Sequence, residues 1–259
     1  MRWHPCPTAI LLVVASVLAV ESSSASSGIQ NSCEDWATLV AGPYVLVNNV
    51  WGKRDIKDYR ACVAIEETGR GRTAMSWKWR WPYGPDVVAY PEIMFGRNPW
   101  RDASTTPGLP VQVGRCKPLV KYQADLKASG TYNLAFDLWI TRTVTAREAD
   151  ITHEIMIWVA NSGGIPDGAK EAVVRIGGME YDLWVKKDHG VARWTYAAFV
   201  SRGEQLKATL DLGAFMSILV ERGLLATDLY LSSVEFGNEI TGGEGACAIT
   251  GYDIAIRGR

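Results

Sequence analysis

Hydrophobic residues recur at every second position over most of the chain. Leu134, Phe136, Leu138 and Ile140 alternate with Asn133, Ala135, Asp137 and Trp139, which predicts a strand with one apolar and one mixed face. Ile155, Ile157 and Val159 alternate with Glu154, Met156 and Trp158, and Met75, Trp77, Trp79 and Trp81 alternate with Ser76, Lys78 and Arg80. Further strands are expected near residues 43–51, 61–65, 87–95, 172–176, 181–185, 193–200, 228–236 and 248–256, many of them separated by Gly, Pro and Asn clusters. One segment has the helical period: Leu212, Phe215, Met216, Leu219 and Val220, with Asp211 placed to cap its start and Gly223 its end. Many strands and one helix predict an all-β fold, a sandwich of two antiparallel sheets with a single α-helix on one side.

The 259 residues, 47% of them hydrophobic, suffice for one large core. No internal repeat and no Pro/Ser/Thr-rich linker divides them, so one domain is expected over 28–259. A formal net charge of −1 with 21% charged residues excludes a basic nucleic-acid footprint and an acidic disordered tail. Tryptophan stands out, at 11 residues against 5 Phe, which points to flat aromatic surfaces in a core or on a wall that stacks against a ligand.

Residues 1–27 read as a secretory signal peptide. Arg2 and His4 form a basic start, Thr8 to Val20 is an apolar run too short to span a bilayer, and small residues follow from Ser22 to Gly28. A secreted protein is expected, with no membrane association once the signal is removed. Removal also takes Cys6 and leaves Cys33, Cys62, Cys116 and Cys247, an even set that favours disulfides in an exported chain. Three connectivities are open. With no C-x-x-C pair and only His153 and His189 left as histidines, no metal site and no cofactor are expected.

The candidate chemistry lies in acids on strands. Glu154 shares a strand face with Met156 and Trp158, while Ile155 and Ile157 point the other way. Glu239 ends the run 231–240 and by alternation joins Glu235 and Ser233; Asp137 interrupts the mixed face of its own strand. Carboxylates beside Trp and Met are either a solvated sheet face or a cleft in which two of them do acid/base and nucleophilic work.

Five pieces of sequence decide between these. Asn48-Asn49-Val50-Trp51-Gly52, Ala89-Tyr90-Pro91-Glu92-Ile93-Met94-Phe95-Gly96, Phe136-Asp137-Leu138-Trp139, Glu154-Ile155-Met156-Ile157-Trp158 and Glu235-Phe236-Gly237-Asn238-Glu239-Ile240-Thr241-Gly242-Gly243 occur in that order, with the one helix before the last. Together they resemble glycoside hydrolase family 12, the small endoglucanases and xyloglucanases, over essentially the whole mature chain. The resemblance implies a β-jelly-roll whose concave sheet forms a groove for a β-glucan such as cellulose, mixed-linkage glucan or xyloglucan, acting as a monomer without a cofactor. It implies that Glu154 is the nucleophile of a retaining hydrolase, Glu239 the general acid/base, and Asp137 the neighbour that helps hold Glu154. It implies substrate contacts at Asn49, Trp51 and Met156, and at Trp79, whose strand mates Trp77 and Trp81 could equally pack with it in a core. It also implies a Cys33–Cys62 disulfide, with Cys116–Cys247 as the remainder. Glu235, on the face of Glu239, is its internal rival, with an ion pair on the groove wall as the plainer expectation. A carbohydrate-binding jelly-roll without activity and a family 11 xylanase are the competing readings.

Overall fold

The computed structural model describes residues 28–68, 73–101, 105 and 108–258, so the expected signal peptide lies outside the described residues. In chain order the strands are β1 (Ile29–Ser32), β2 (Thr38–Ala41), β3 (Tyr44–Val47), β4 (Arg60–Glu67), β5 (Thr73–Trp81), β6 (Glu92–Gly96), β7 (Val111–Gln112) and β8 (Cys116–Thr141). They continue with β9 (Ile151–Ser162), β10 (Ala169–Ile176), β11 (Met179–His189), β12 (Trp194–Ser201), β13 (Lys207–Asp211), β14 (Tyr230–Gly237) and β15 (Ile240–Gly258). The single helix among the described residues, α1 (Leu212–Glu221), falls where the periodicity places it.

Strand β8 belongs to both layers. Its first half pairs with β15 on one side and β13 on the other, and β15 continues through β5 and β4 to β1. Its second half lies between β14 and β9. From there the second sheet runs through β6 and β3 to β2 on one side and through β12 and β11 to β10 on the other. The expected jelly-roll is thus one continuous hydrogen-bonded ladder folded over a core. One pairing departs from the expected antiparallel pattern: β9 and β12 are parallel, Glu154 opposite Tyr196. The chain leaves β9, forms the β10–β11 hairpin outboard, and returns in β9's own direction, which a tight turn could not do.

The core is the inner side of both layers. Leu134, Phe136, Leu138 and Ile140 of β8, Ile155, Ile157 and Val159 of β9, and Val234 and Phe236 of β14 are wholly buried. Phe136 and Phe236 stack at 4.1 Å, and Tyr122 meets both rings edge-on. From the opposite layer come Trp77, Trp79 and Trp81 of β5. This corrects the expectation that Trp79 contacts sugar: it is 3% exposed and packs between the sheets, because the tryptophan face of β5 is the inner face of its sheet.

Helix α1 starts where the Asp211 side chain accepts the Ala214 N–H (3.2 Å). It ends in a left-handed turn at Gly223 (φ 67°), whose N–H reaches Val220 O while Leu224 N–H reaches Leu219 O. Its buried face includes Leu212, Phe215, Met216 and Leu219, with Phe215 against Tyr181 and Phe199.

The Cys33–Cys62 disulfide is present. A Cys116–Cys247 bond is not, and the register explains why. Cys247 faces Leu126 and Cys116 faces Gly258 in the β8–β15 ladder. Ten residues of strand, about 33 Å, separate the two positions.

Candidate active site

Alternation fixes which side chains leave the core, and pairing fixes their neighbours. On the outer face of the second sheet, one rung across the strands reads Ser233, Trp139, Glu154, Tyr196 and Lys186. The next reads Met94, Glu235, Asp137, Met156, Ala198 and Trp184. The third begins Glu92, Gly237, Ala135 and Trp158. Adjacent rungs lie about 7 Å apart, so acids from four strands converge on one patch.

Glu154 is 8% exposed, and its Oε2 accepts the indole N–H of Trp194 at 2.7 Å. Trp194 is one of three tryptophans packed edge to face, with Trp139 at 5.5 Å and the half-exposed Trp100 at 6.4 Å. His189 lies on the other side of the same Glu154 oxygen, its Nε2 3.8 Å away. His153, one residue earlier, faces away and gives Nε2 to the Leu224 carbonyl at 2.7 Å.

Glu239 reaches this patch by another route than the expected one. Strand β14 ends at Gly237, and Glu239 sits in the link to β15 rather than on a strand. Asn133, at the start of the second half of β8, holds it. The Asn133 side chain donates Nδ2–H to Glu239 Oε2 and accepts the Glu239 N–H at 3.1 Å, and the Asn133 N–H bonds the Glu239 carbonyl at 3.0 Å. Its neighbour Asn238 is wholly buried between Trp77 Nε1–H and the Asn133 carbonyl.

A second carboxyl group pair stands on the same face. Glu92 and Glu235 are each 2% exposed and lie side by side. Glu235 accepts from Asn98 Nδ2 at 2.8 Å and Ser233 Oγ at 2.9 Å, and Glu92 Oε1 accepts from Asn49 Nδ2 at 3.0 Å. The ion pair expected for Glu235 is therefore replaced by amide and hydroxyl donors and a neighbouring carboxyl. Asn49 in turn accepts the Trp51 N–H, and Trp51 stands 57% exposed above it. The following Gly52 is required, since a Cβ there would lie 2.1 Å from the Val87 carbonyl oxygen.

Asp137 and Met156 are on the face but under it. Asp137 is 5% exposed, and its Oδ1 has no hydrogen-bond donor. Met156 is 1% exposed, with its sulfur taking Trp158 Nε1–H and Tyr196 O–H. Both are therefore floor rather than free surface. Asn133, Glu92, Trp194 and His189 are the residues of the patch to which sequence reasoning gave no role. For Asn133 and Glu92 the signal was there, since both lie within or beside quoted motifs.

Burial dominates the electrostatics. It pushes Glu154 up to about 8, with the charge of Glu239 adding to it and the Trp194 hydrogen bond opposing. It pushes Glu239 up to about 7 against the Asn133 hydrogen bond. Glu92 and Asp137 are raised well above the usual carboxylate range, by burial and then by their acidic neighbours. These groups share protons, so the patch titrates as a unit. Two acids close enough to feel each other, one held by an indole and one by an amide, with aromatic rings alongside, can perform acid/base and nucleophilic chemistry on an uncharged substrate. No cluster that could hold a metal ion occurs among the described residues.

Residues 42–257 match the family described as Glycosyl hydrolase family 12. The chain is 30% identical to Endoglucanase S of Pectobacterium parmentieri, covering 96% of this chain and 95% of that one. It is 24% identical to a protein of Phytophthora nicotianae named Inactive glycoside hydrolase XLP1, over 95% and 98% of the two chains. The structure superposes on the family 12 xyloglucanase from Bacillus licheniformis with a TM-score of 0.79 at 28% identity, covering 88% of this chain and all of that one.

Proposed function

Because this chain belongs to glycosyl hydrolase family 12, we propose that it is a secreted endo-β-1,4-glucanase that cleaves internal bonds of cellulose or a related β-glucan with retention of configuration. The observation that carries the reading is that Glu154, on the outer sheet face, and Glu239, in the link beside it, lie close enough for the charge of one to act on the other, each held by a different donor. Glu154, as carboxylate, attacks the anomeric carbon while Glu239 gives its proton to the departing oxygen. Glu239 then takes a proton from water as the glycosyl ester is hydrolysed. Retaining enzymes hold the two carboxyl groups about 5–5.5 Å apart, close enough for both to act on one acetal.

The hydrogen bonds support the roles of the surrounding parts. Asn133 aims Glu239, the Trp194 indole fixes one oxygen of Glu154, and Asp137, raised by burial and then by the charge of Glu154 close by, is the neighbour that helps hold the nucleophile. Trp51 offers an exposed indole for the apolar face of a pyranose, with Asn49 beneath it. Residues 28–259 form the catalytic domain of a monomer, and 1–27 are removed on export.

Glu154→Gln and Glu239→Gln each lower reducing-end release from carboxymethyl cellulose by about a thousandfold or more, while the protein stays folded. Azide restores turnover, with inverted product, to Glu154→Gly and not to Glu239→Gly. Near-native turnover in either glutamine variant overturns the assignment. A folded wild type that binds glucan but releases no reducing ends joins the inactive relative. The likeness to the Bacillus licheniformis enzyme supports xyloglucan as a second substrate reading. It stands if xyloglucan is cleaved faster than carboxymethyl cellulose or lichenan.

A further inference from the structure

The first displacement needs Glu154 without its proton, yet its site is one where burial and acidic neighbours hold the proton on. The turn between β11 and β12 supplies a group placed to deal with this. The β11–β12 ladder slips between Lys186 and His189, a bulge that re-aims His189 from the strand edge toward the rung of Glu154. The turn that follows is tightly specified. Asp188, Gly190 and Arg193 all take left-handed backbone angles (φ 56°, 63° and 59°), and a Cβ at Gly190 would lie 2.1 Å from the Trp194 ring. It packs the His189 ring between Trp194 (5.4 Å) and Tyr196 (5.0 Å).

Both edges of that ring meet a carboxyl group. Nε2 lies 3.8 Å from Glu154 Oε2, and Nδ1 lies 3.2 Å from Asp167 Oδ2. Asp167 comes from the loop between β9 and β10, and Lys186 Nζ fixes it from β11 at 3.0 Å. Asp188 and Arg193 pair with each other on the exposed side of the turn, and Tyr196 is the remaining titratable group against the ring.

We propose that His189, braced by Asp167, is a positioning residue that draws the proton from Glu154 and so delivers the carboxylate that attacks the sugar; this rests on the reading of Glu154 as nucleophile. The Glu154 O–H bond breaks and an Nε2–H bond forms, with the Asp167 carboxylate 3.2 Å from Nδ1 to offset the new positive charge. Charge is conserved, and an imidazolium between two carboxylates replaces a neutral acid beside a neutral ring. Separately, burial disfavours both the Glu154 carboxylate and the imidazolium. As a pair they hold one proton, and the surroundings decide where it rests. The Trp194 N–H favours the carboxylate and Asp167, nearer the ring, favours the imidazolium; Lys186 opposes the imidazolium, and the charges of Glu239, Asp167 and Glu235 oppose the carboxylate. When Glu154 becomes a glycosyl ester the imidazolium keeps Asp167 as its partner, and it regains Glu154 as the ester is hydrolysed.

His189→Phe tests this, because phenylalanine keeps a ring against Trp194 and Tyr196 but takes no proton. The acid limb of the kcat/KM profile moves up by about one pH unit, so activity below that limb falls about tenfold, while the plateau kcat stays within about twofold. An unmoved acid limb with a uniform loss of kcat overturns the proposal in favour of simple packing. A second measurement is independent of turnover and of the phenylalanine variant. In glucan-free protein labelled with ¹⁵N-histidine, His189 shows two protonated ring nitrogens near neutral pH and becomes a neutral imidazole in Glu154→Gln. A His189 that is neutral at pH 6 in the wild type, or indifferent to Glu154→Gln, overturns the inference even if the protein is an active glucanase. If no reducing ends are released, the proposed function falls while this spectrum still decides the proton's place.

Discussion

Two groups of tryptophans divide the molecule. Trp77, Trp79 and Trp81 stand on β5 at 1%, 3% and 2% exposure, packed into the core. Trp79 and Trp81 leave their indole N–H without an acceptor there, and Trp81 stacks on Tyr59 at 4.1 Å. Trp51, Trp100, Trp139 and Trp194 stand on or beside the acidic face, where Trp194 donates to Glu154 and Trp51 and Trp100 remain open. Both groups come from alternating strands or the segments joined to them. What separates them is the direction in which each sheet turns its faces, and only tertiary pairing sets that. The first group fills the space between the layers, with Trp77 also donating to Asn238, and in the second Trp51 and Trp100 present exposed rings while Trp194 presents its N–H.

This division can be broken from either side. The largest effect is expected at the face itself, where losing either Glu154 or Glu239 removes turnover by about a thousandfold without unfolding the protein, as described above. Trp79→Ala lies next. It opens a cavity between the sheets and costs about 3–5 kcal/mol, lowering Tm by roughly 10 °C, with KM for glucan unchanged in the folded fraction. An unchanged Tm with a raised KM would return Trp79 to the substrate face.

Acids on that face also set a pH dependence of stability. Glu92 holds its proton in the fold far above its unfolded value of 4.5. At this group the folded state therefore binds more protons than the unfolded chain above about pH 4.5, so its contribution to stability is fully present below that pH and is lost as the pH rises. Glu154 and Glu239, raised to about 8 and about 7, act in the same direction. Glu92→Gln is expected to flatten the decline between pH 5 and pH 8 and to raise Tm at pH 8 by a few degrees, read by thermal melts. A Tm that rises with pH over that range would place these acids in contact with cations instead. The smallest effect is at Trp51. Trp51→Ala leaves Tm within about a degree and raises KM about tenfold, a change of about 1.4 kcal/mol in binding.

Much of this was legible from the chain, for reasons that differ by residue. The second half of β8 and the middle of β9 have apolar inner faces, so their period of two is plain and puts Glu154 and Asp137 outside the core. Helix α1 carries both its cap and its stop. The first half of β8, absent from the expected strands, carries a legible period of two, Val120, Tyr122, Ala124, Leu126 and Ala128 against Lys121, Gln123, Asp125, Lys127 and Ser129; its inward residues beyond Tyr122 are only half-buried. The parallel β9–β12 pairing leaves no mark in local periodicity, since it depends on where a distant hairpin lies. Alternation put Glu239 on the face of Glu235 as the end of a strand, but the strand stops two residues before it and its aim comes from Asn133, more than a hundred residues away in sequence. His189 was counted only as one of two histidines that could not make a metal site. A bulge moves it onto the face, and nothing in the alternation of β11 announces that shift.

Strand β8 runs unbroken from Cys116 to Thr141 and is hydrogen-bonded on both edges along much of each half, to β15 and β13 and then to β14 and β9. The two layers therefore share one backbone. Amide protons at the two ends of this strand should exchange with solvent only in the same rare whole-molecule event, and the bed under Glu154 then inherits the protection of the layer furthest from it.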